Sequence, residues 1–137
     1  MNTITVSQSE FLWIAVAVLV ALPVGGFVTS LFFRRLVRRL NLASSLPSGE
    51  AVPGWLIGAV ERTFFTLAVA YDLSGAAVGM IAWITVKMVS NWNRPDRKAP
   101  SDDPEITVQL SMAALLASLV SLTFATIGGL LWRAVLT

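Results

Sequence analysis

The sequence predicts an all-α membrane protein, a single domain built as a bundle of four transmembrane helices. Of its 137 residues, 55% are apolar and 13% are charged, and the mean hydropathy is +0.73. A soluble domain is typically about 45–50% apolar. The apolar residues fall into long runs, and the polar loops between them are too short to hold a second domain.

The composition also restricts the chemistry. The chain has no Cys and no His, which removes thiol nucleophiles, disulfides, Cys or His metal sites and the commonest general base. No nucleophile with a partner base and no paired carboxylates occur in the apolar runs. We therefore expect a protein that is not an enzyme and that uses no cofactor and no metal ion.

The first apolar run is the clearest membrane span. Residues 11–33 contain no charged residue, and the run exceeds the roughly 20 residues that cross a bilayer. The segment before it carries Glu10 but no Lys or Arg, unlike the start of a cleavable signal peptide, so we expect the span to be retained. Pro23, followed by Gly25 and Gly26, predicts a kink near the middle of the helix.

A basic segment follows this run directly. It contains four arginines at helical spacing, namely Arg34, Arg35, Arg38 and Arg39. Basic residues at the end of a span mark the cytoplasmic side, and they can also contact anionic lipid headgroups. Both roles are compatible. The patch is too short to predict nucleic-acid binding, so the partner expected here is the lipid bilayer.

Residues 53–92 allow two arrangements. In one, residues 53–65 lie along the interface and a single span runs over 66–89, which buries Asp72. In the other, residues 54–71 and 74–92 form a helical hairpin that turns at Asp72–Gly75. The hairpin is favoured because it removes Asp72 from the hydrocarbon and places the basic residues of 34–39 and 94–98 on one side. With a last span over 107–136, both termini lie outside a bacterial inner membrane.

Small residues predict close contacts between helices. They recur at every fourth position in three of the predicted spans: Gly54 and Gly58; Gly75 and Gly79; and Ala113, Ala117, Ser121, Ala125 and Gly129. The pattern does not say whether the contacts form inside one chain or between chains. A homo-oligomer or a larger membrane complex is therefore expected.

Charged residues inside the predicted hairpin are the candidate site. Glu61 and Arg62 are adjacent, so they point about 100° apart and need separate partners. Glu61 lies on the small-residue face, within reach of Lys87 on the antiparallel helix, whereas Arg62 can extend back toward the cytoplasmic end. Three interpretations stay open: a polar staple that fixes the register of the hairpin, a proton or cation site, and an interfacial placement with no buried charge.

The segment GWLIGAVERTFF, followed by AAVGMIAWITVK, resembles a pattern found in small bacterial and phage-associated polytopic membrane proteins. The matching positions are Gly54, Ile57, Gly58, Glu61, Arg62 and Lys87. The resemblance implies no activity. The four-span size is also similar to small multidrug resistance transporters, but their essential Glu lies in the first span, and residues 11–33 contain none.

These observations predict a small polytopic membrane protein that acts as a non-enzymatic assembly component or accessory subunit. The alternative is a small transporter or ion channel in which Glu61 is the intramembrane proton or cation site.

Overall fold

The computed structural model describes residues 8–45, 53–92 and 104–137, and within these residues all regular structure is helical. The first helix is continuous from Gln8 to Arg39 and comprises α1, a π-helical turn and α2. A short 3-10 turn follows it, and three further helices complete the described chain. The elements are α1 (Gln8–Leu19), the π-helical turn (Val20–Val24), α2 (Gly25–Arg39), the 3-10 turn (Ala43–Ser45), α3 (Gly54–Ala70), α4 (Ala76–Trp92) and α5 (Pro104–Leu136).

The four predicted helices are present, and residues 54–92 form the helical hairpin. Helix α3 ends at Ala70, so the uninterrupted helix over 66–89 that the alternative arrangement required does not form. Asp72 takes a left-handed conformation with φ 51°, and Leu73 N–H donates to the carbonyl of Ala68. Gly75, with φ 88°, then lets the chain enter α4. Basic residues 94–98, which entered the argument for the hairpin, lie outside the described residues.

The irregularity predicted at Pro23 takes the form of a π-helical turn. Proline has no N–H to donate, and the residue after the turn, Gly25, donates its N–H to the carbonyl of Val20 five positions earlier. The wider turn therefore accommodates the proline without interrupting the helix. It lies at the midpoint of the Gln8–Arg39 helix, beside the polar cluster described below.

Helix α5 is the centre of the fold and packs against all the other helices. Two consecutive glycines allow this close approach. A Cβ at Gly128 would lie 2.6 Å from Ala21 Cβ, and one at Gly129 would lie 2.6 Å from Val69 Cβ. The stripe predicted from the sequence is buried throughout: Ala113, Ala117, Ser121, Ala125 and Gly129. This stripe therefore packs within the chain, and Gly128 belongs to the same tight contact although it falls outside the four-residue spacing.

Helix α4 packs only loosely on the rest of the chain. None of its described side chains, over residues 76–89, is buried. Met80 and Ile84 contact the core at Phe65 and Leu122, but a Cβ added at Gly75 or Gly79 would meet nothing within 4 Å. Gly75, which directly precedes α4, and Gly79 on α4 thus make no close helix contact inside the described chain.

Within the described residues, two helices are long and apolar enough to cross a membrane: Gln8–Arg39 and Glu105–Leu136. Helices α3 and α4 have 17 residues each and are shorter.

Candidate functional site

The candidate site is a cluster of charged side chains between α3, α4 and α5. Glu61 Oε1 lies 2.6 Å from Lys87 Nζ, and Lys87 Nζ also lies 3.3 Å from Ser118 Oγ, to which it donates. The Glu61 side chain is 5% exposed and that of Lys87 is 29% exposed. The structure thus brings together the two residues that the sequence placed within reach of each other across the hairpin, and α5 supplies a hydroxyl to the same ammonium group.

Arg62 is buried beside this pair but bonds to a different group. The residue is 6% exposed, and its Nη1 donates to Ser121 Oγ over 3.1 Å. A Cβ added at Gly58, four residues before Arg62, would lie 3.2 Å from Arg62 Nη1. The Arg62 side chain therefore leans back by one turn of α3, as expected. The guanidinium group lies inside the bundle, where Ser121 supplies its hydrogen-bond acceptor.

Glycines of α2 make room for the Arg62 side chain. A Cβ at Gly26 would lie 2.9 Å from Arg62 Nη2, and one at Gly25 would lie 3.3 Å from Arg62 Cδ and 2.7 Å from Phe124 Cβ. The Gly25–Gly26 pair, which the sequence suggested as part of a kink, therefore serves as the wall against which the guanidinium packs. Gly58 forms the wall on α3 itself.

Three buried polar atoms of the cluster have no hydrogen-bond partner among the described residues. Glu61 Oε1 is one of them, but it forms the ion pair with Lys87. The other two are Arg62 Nε and, on α2, Thr29 Oγ1. The charges are also unbalanced, since Arg62 and Lys87 are two cations and Glu61 is the single carboxylate among the described residues that line the same space. Buried polar groups are normally paired, so these two atoms are unsatisfied within the cluster.

An open groove of about 870 Å³ runs along this cluster between α2, α3 and α5. Its polar lining comes from Thr29, Ser30, Glu61, Arg62, Lys87, Ser118 and Ser121. Large apolar side chains form much of the remaining wall: Leu22, Phe27, Phe33, Trp55, Ile57 and Leu110. The groove thus combines a cationic end with apolar sides. Gly54 also lines it and remains exposed rather than packing against a helix.

A second ion pair lies at the opposite end of the bundle. Arg133 Nη1 and Nη2 donate to the two carboxylate oxygens of Asp72 over 2.5 and 2.7 Å. Asp72 is 68% exposed, so this pair fastens the hairpin turn to α5 at the surface. The sequence argument placed Asp72 at the hairpin turn and did not pair it with Arg133, near the end of the last predicted span. Their common location at one end of the predicted bundle was the signal that could have paired them.

The remaining predicted contacts lie at the end of α2. Arg34, Arg35, Arg38 and Arg39 all occupy exposed positions there. Between them, Val37 packs inward against Leu42 and Leu110. Within the described ranges, no group of three or more His, Cys, Asp or Glu residues could hold a metal ion.

No protein-family model matches the chain, and neither a curated protein nor a solved structure matches it significantly. Function is therefore inferred from the groups that the fold brings together.

Proposed function

We propose that this chain is a four-span protein of the bacterial inner membrane that acts as a non-enzymatic assembly component, forming a homo-oligomer or joining a larger complex. Exposed apolar surface supports the membrane placement. Phe27, Trp55 and Val78 are each 70% exposed. The most apolar 18-residue stretch of the first helix is 17% buried, and the corresponding stretch of α5 is 33% buried. Lipid tails are the solvent that such surfaces suit.

The lengths of α3 and α4 also agree with this placement. Seventeen residues at about 1.5 Å each span about 26 Å, close to the roughly 30 Å of a hydrocarbon core. Trp55 lies at the start of α3, whereas Tyr71 and Trp132 lie together at the other end with ring centroids 6.4 Å apart. Aromatic residues at both ends are typical of the two membrane interfaces. With the arginines of α2 on the cytoplasmic side, both termini are outside.

The observation that carries the assembly role is the unpartnered outer face of α4. Gly79, Ala82 and Val86 are all exposed and recur at helical spacing, so they form one face. The small stripe of α5 is buried inside the chain, whereas a Cβ added at Gly79 would meet nothing within 4 Å. In a bilayer, helices associate through close backbone packing at small residues, because lipid and side chains are equally apolar. This outer α4 face is therefore suited to a helix of another subunit.

The mass of the detergent-extracted protein, measured by light scattering with the detergent contribution subtracted, tests the assembly role. We expect an oligomer or a co-purifying partner, and we expect Gly79→Leu to reduce the mass because the new side chain holds the helices apart. Ala77→Leu is the matched control, since Ala77 is exposed on a different face of α4. A monomeric wild-type protein without a partner would refute assembly. An oligomer that both variants retain would refute the role of the outer α4 face.

The alternative role, a transporter or channel with Glu61 as its proton or cation site, has weaker support. The Glu61 carboxylate already contacts the Lys87 ammonium, and Arg62 lies next to it. A further cation would have to compete with two fixed positive charges. The same contacts favour the interpretation of Glu61 and Lys87 as a polar staple that holds α4 to α3.

A further inference from the structure

The last two turns of α2 present an exposed basic surface, which we call the arginine face. It consists of Arg34, Arg35, Arg38 and Arg39. At about 100° per residue these four positions cover about 140° of the helix circumference. The other side of the same turns points inward, because Val37 is 2% exposed and contacts Leu110, and Phe33 packs against both. The contact of α2 with α5 therefore directs the arginine face away from the bundle.

The end of α2 is held in a defined conformation. Asn41 takes a left-handed backbone with φ 53° and donates its N–H to the carbonyl of Arg38, while Leu42 donates its N–H to the carbonyl of Val37. This pair of hydrogen bonds is the Schellman arrangement of a helix C-terminus. Leu42 is 3% exposed and packs on Val37. The last turn is thus fixed, and the arginine side chains keep their helical spacing.

The arginine face has no counter-charge within the described chain. None of its members forms an ion pair with a described carboxylate. Arg34 and Arg38 are four residues apart and are therefore neighbours on the helix surface. The same holds for Arg35 and Arg39. Like charges at this spacing repel each other and destabilise a helix, so an anion bound between them would remove the repulsion.

The position of the arginine face along the helix favours a lipid as the source of that anion. The helix from Gln8 to Arg39 has 32 residues and is about 48 Å long, whereas the hydrocarbon core is roughly 30 Å thick. The uncharged run of residues 11–33 ends directly before Arg34, and the last apolar positions, Leu31 and Phe32, are exposed. Apolar surface for acyl chains therefore continues directly into cations at the level of the headgroups.

We propose that the arginine face binds the phosphate groups of anionic phospholipids in the cytoplasmic leaflet. A guanidinium group presents its N–H donors in a planar fork and can donate to two phosphate oxygens at once, which an ammonium group cannot do in the same geometry. Two neighbouring guanidinium groups, as at Arg34 and Arg38, can hold one phosphate between them. The proposal rests on the membrane placement and orientation given above but not on the assembly role.

Thermal unfolding of the full chain in mixed micelles tests this site. A ligand that binds the native state raises its stability, so phosphatidylglycerol should raise Tm more than phosphatidylcholine does. Arg34→Gln with Arg38→Gln removes one neighbouring pair. Because both side chains are exposed, we expect no loss of Tm without lipid. The apparent affinity for phosphatidylglycerol should fall on the order of fivefold per arginine, and so about 25-fold for the pair.

Two further variants separate a phosphate site from a general effect of charge. Arg34→Lys with Arg38→Lys keeps both charges but loses the planar fork, so its affinity for phosphatidylglycerol should lie between those of the wild type and the Gln variant. Arg133→Gln is the matched control, since it also removes a cation but one that is paired with Asp72 at the opposite end of the bundle. The rise in Tm that phosphatidylglycerol produces should be the same in Arg133→Gln as in the wild type.

Four results would overturn the proposal. They are equal stabilisation by the two lipids, wild-type affinity in either the Gln or the Lys double variant, an equal loss of affinity in Arg133→Gln, and an equal effect of soluble glycerol phosphate. The last result would indicate an anion site that needs no membrane. Extraction from membranes that requires detergent tests the membrane placement separately, so a protein that needs detergent but shows any of these results would refute the lipid site alone.

Discussion

Removing one partner of the Glu61–Lys87 ion pair should destabilise the protein more than removing both partners. Lys87→Met leaves a carboxylate that is 5% exposed without its ammonium partner. Truncating one partner of a buried ion pair typically costs about 3–5 kcal/mol, and we expect the lower end here because Lys87 is 29% exposed and the Arg62 cation remains nearby. Glu61→Gln should cost less, because Lys87 keeps its hydrogen bond to Ser118 and can extend toward water.

The double variant Glu61→Gln with Lys87→Met removes both charges and should be more stable than Lys87→Met alone. A double-mutant cycle then gives a coupling energy of about 2–3 kcal/mol, measured as the difference between the summed single effects and the double effect. Reversible unfolding in mixed micelles titrated with a denaturing detergent provides the free energies. Additive effects of the two substitutions would show that the 2.6 Å contact does not stabilise the hairpin. That result would refute the interpretation of Glu61 and Lys87 as a polar staple.

Two further predictions concern the ends and the centre of the bundle. Gly128→Ala should destabilise the fold by about 1–3 kcal/mol, because its Cβ would lie 2.6 Å from Ala21 Cβ. In the dissociated single chain, Gly79→Ala should leave the fold as stable or raise its stability by up to about 1 kcal/mol, because the chain itself leaves this site open and alanine favours helix. Equal effects of the two substitutions in thermal unfolding of the single chain would contradict the packing described for α5. Asp72→Asn should cost no more than about 1 kcal/mol, because the pair with Arg133 is exposed to solvent and Asn tolerates the left-handed backbone at this position. A loss of several kcal/mol in the same assay would indicate that the pair is buried by a partner.

The helices themselves were predictable because they depend on local signals. Long apolar runs indicated the four helices, and Asp72 to Gly75 indicated the turn of the hairpin, since both residues suit left-handed backbone. The Glu61–Lys87 contact also followed from counting residues along two antiparallel helices. Each of these inferences uses only positions that the hairpin brings level.

The fate of Arg62 was not predictable in the same way. Its partner Ser121 and its wall at Gly25 and Gly26 come from helices distant in sequence, and nothing local to α3 indicates which helix lies against it. The glycines of α2 were noticed as a kink signal, but their second effect, space for a guanidinium group, appears only once α2 and α3 are packed together.

The small-residue stripes illustrate the same limit. Those on α4 and α5 have the same four-residue spacing, yet only the α5 stripe packs inside the chain. Spacing identifies a face that permits close approach, but the tertiary arrangement decides whether the chain itself covers that face. The outer α4 face is therefore interpreted from the structure and not from the sequence pattern.

The most direct test of the four-span account is the side of the membrane on which each loop lies. The chain has no cysteine, so single cysteines introduced at Ser48, Ser74 and Ala99 can be labelled with a membrane-impermeant thiol reagent in intact cells and in inverted vesicles. The account predicts that positions 48 and 99 react only from the cytoplasmic side and position 74 only from the outside. Labelling of positions 48 and 99 from opposite sides would contradict the hairpin as a pair of membrane spans.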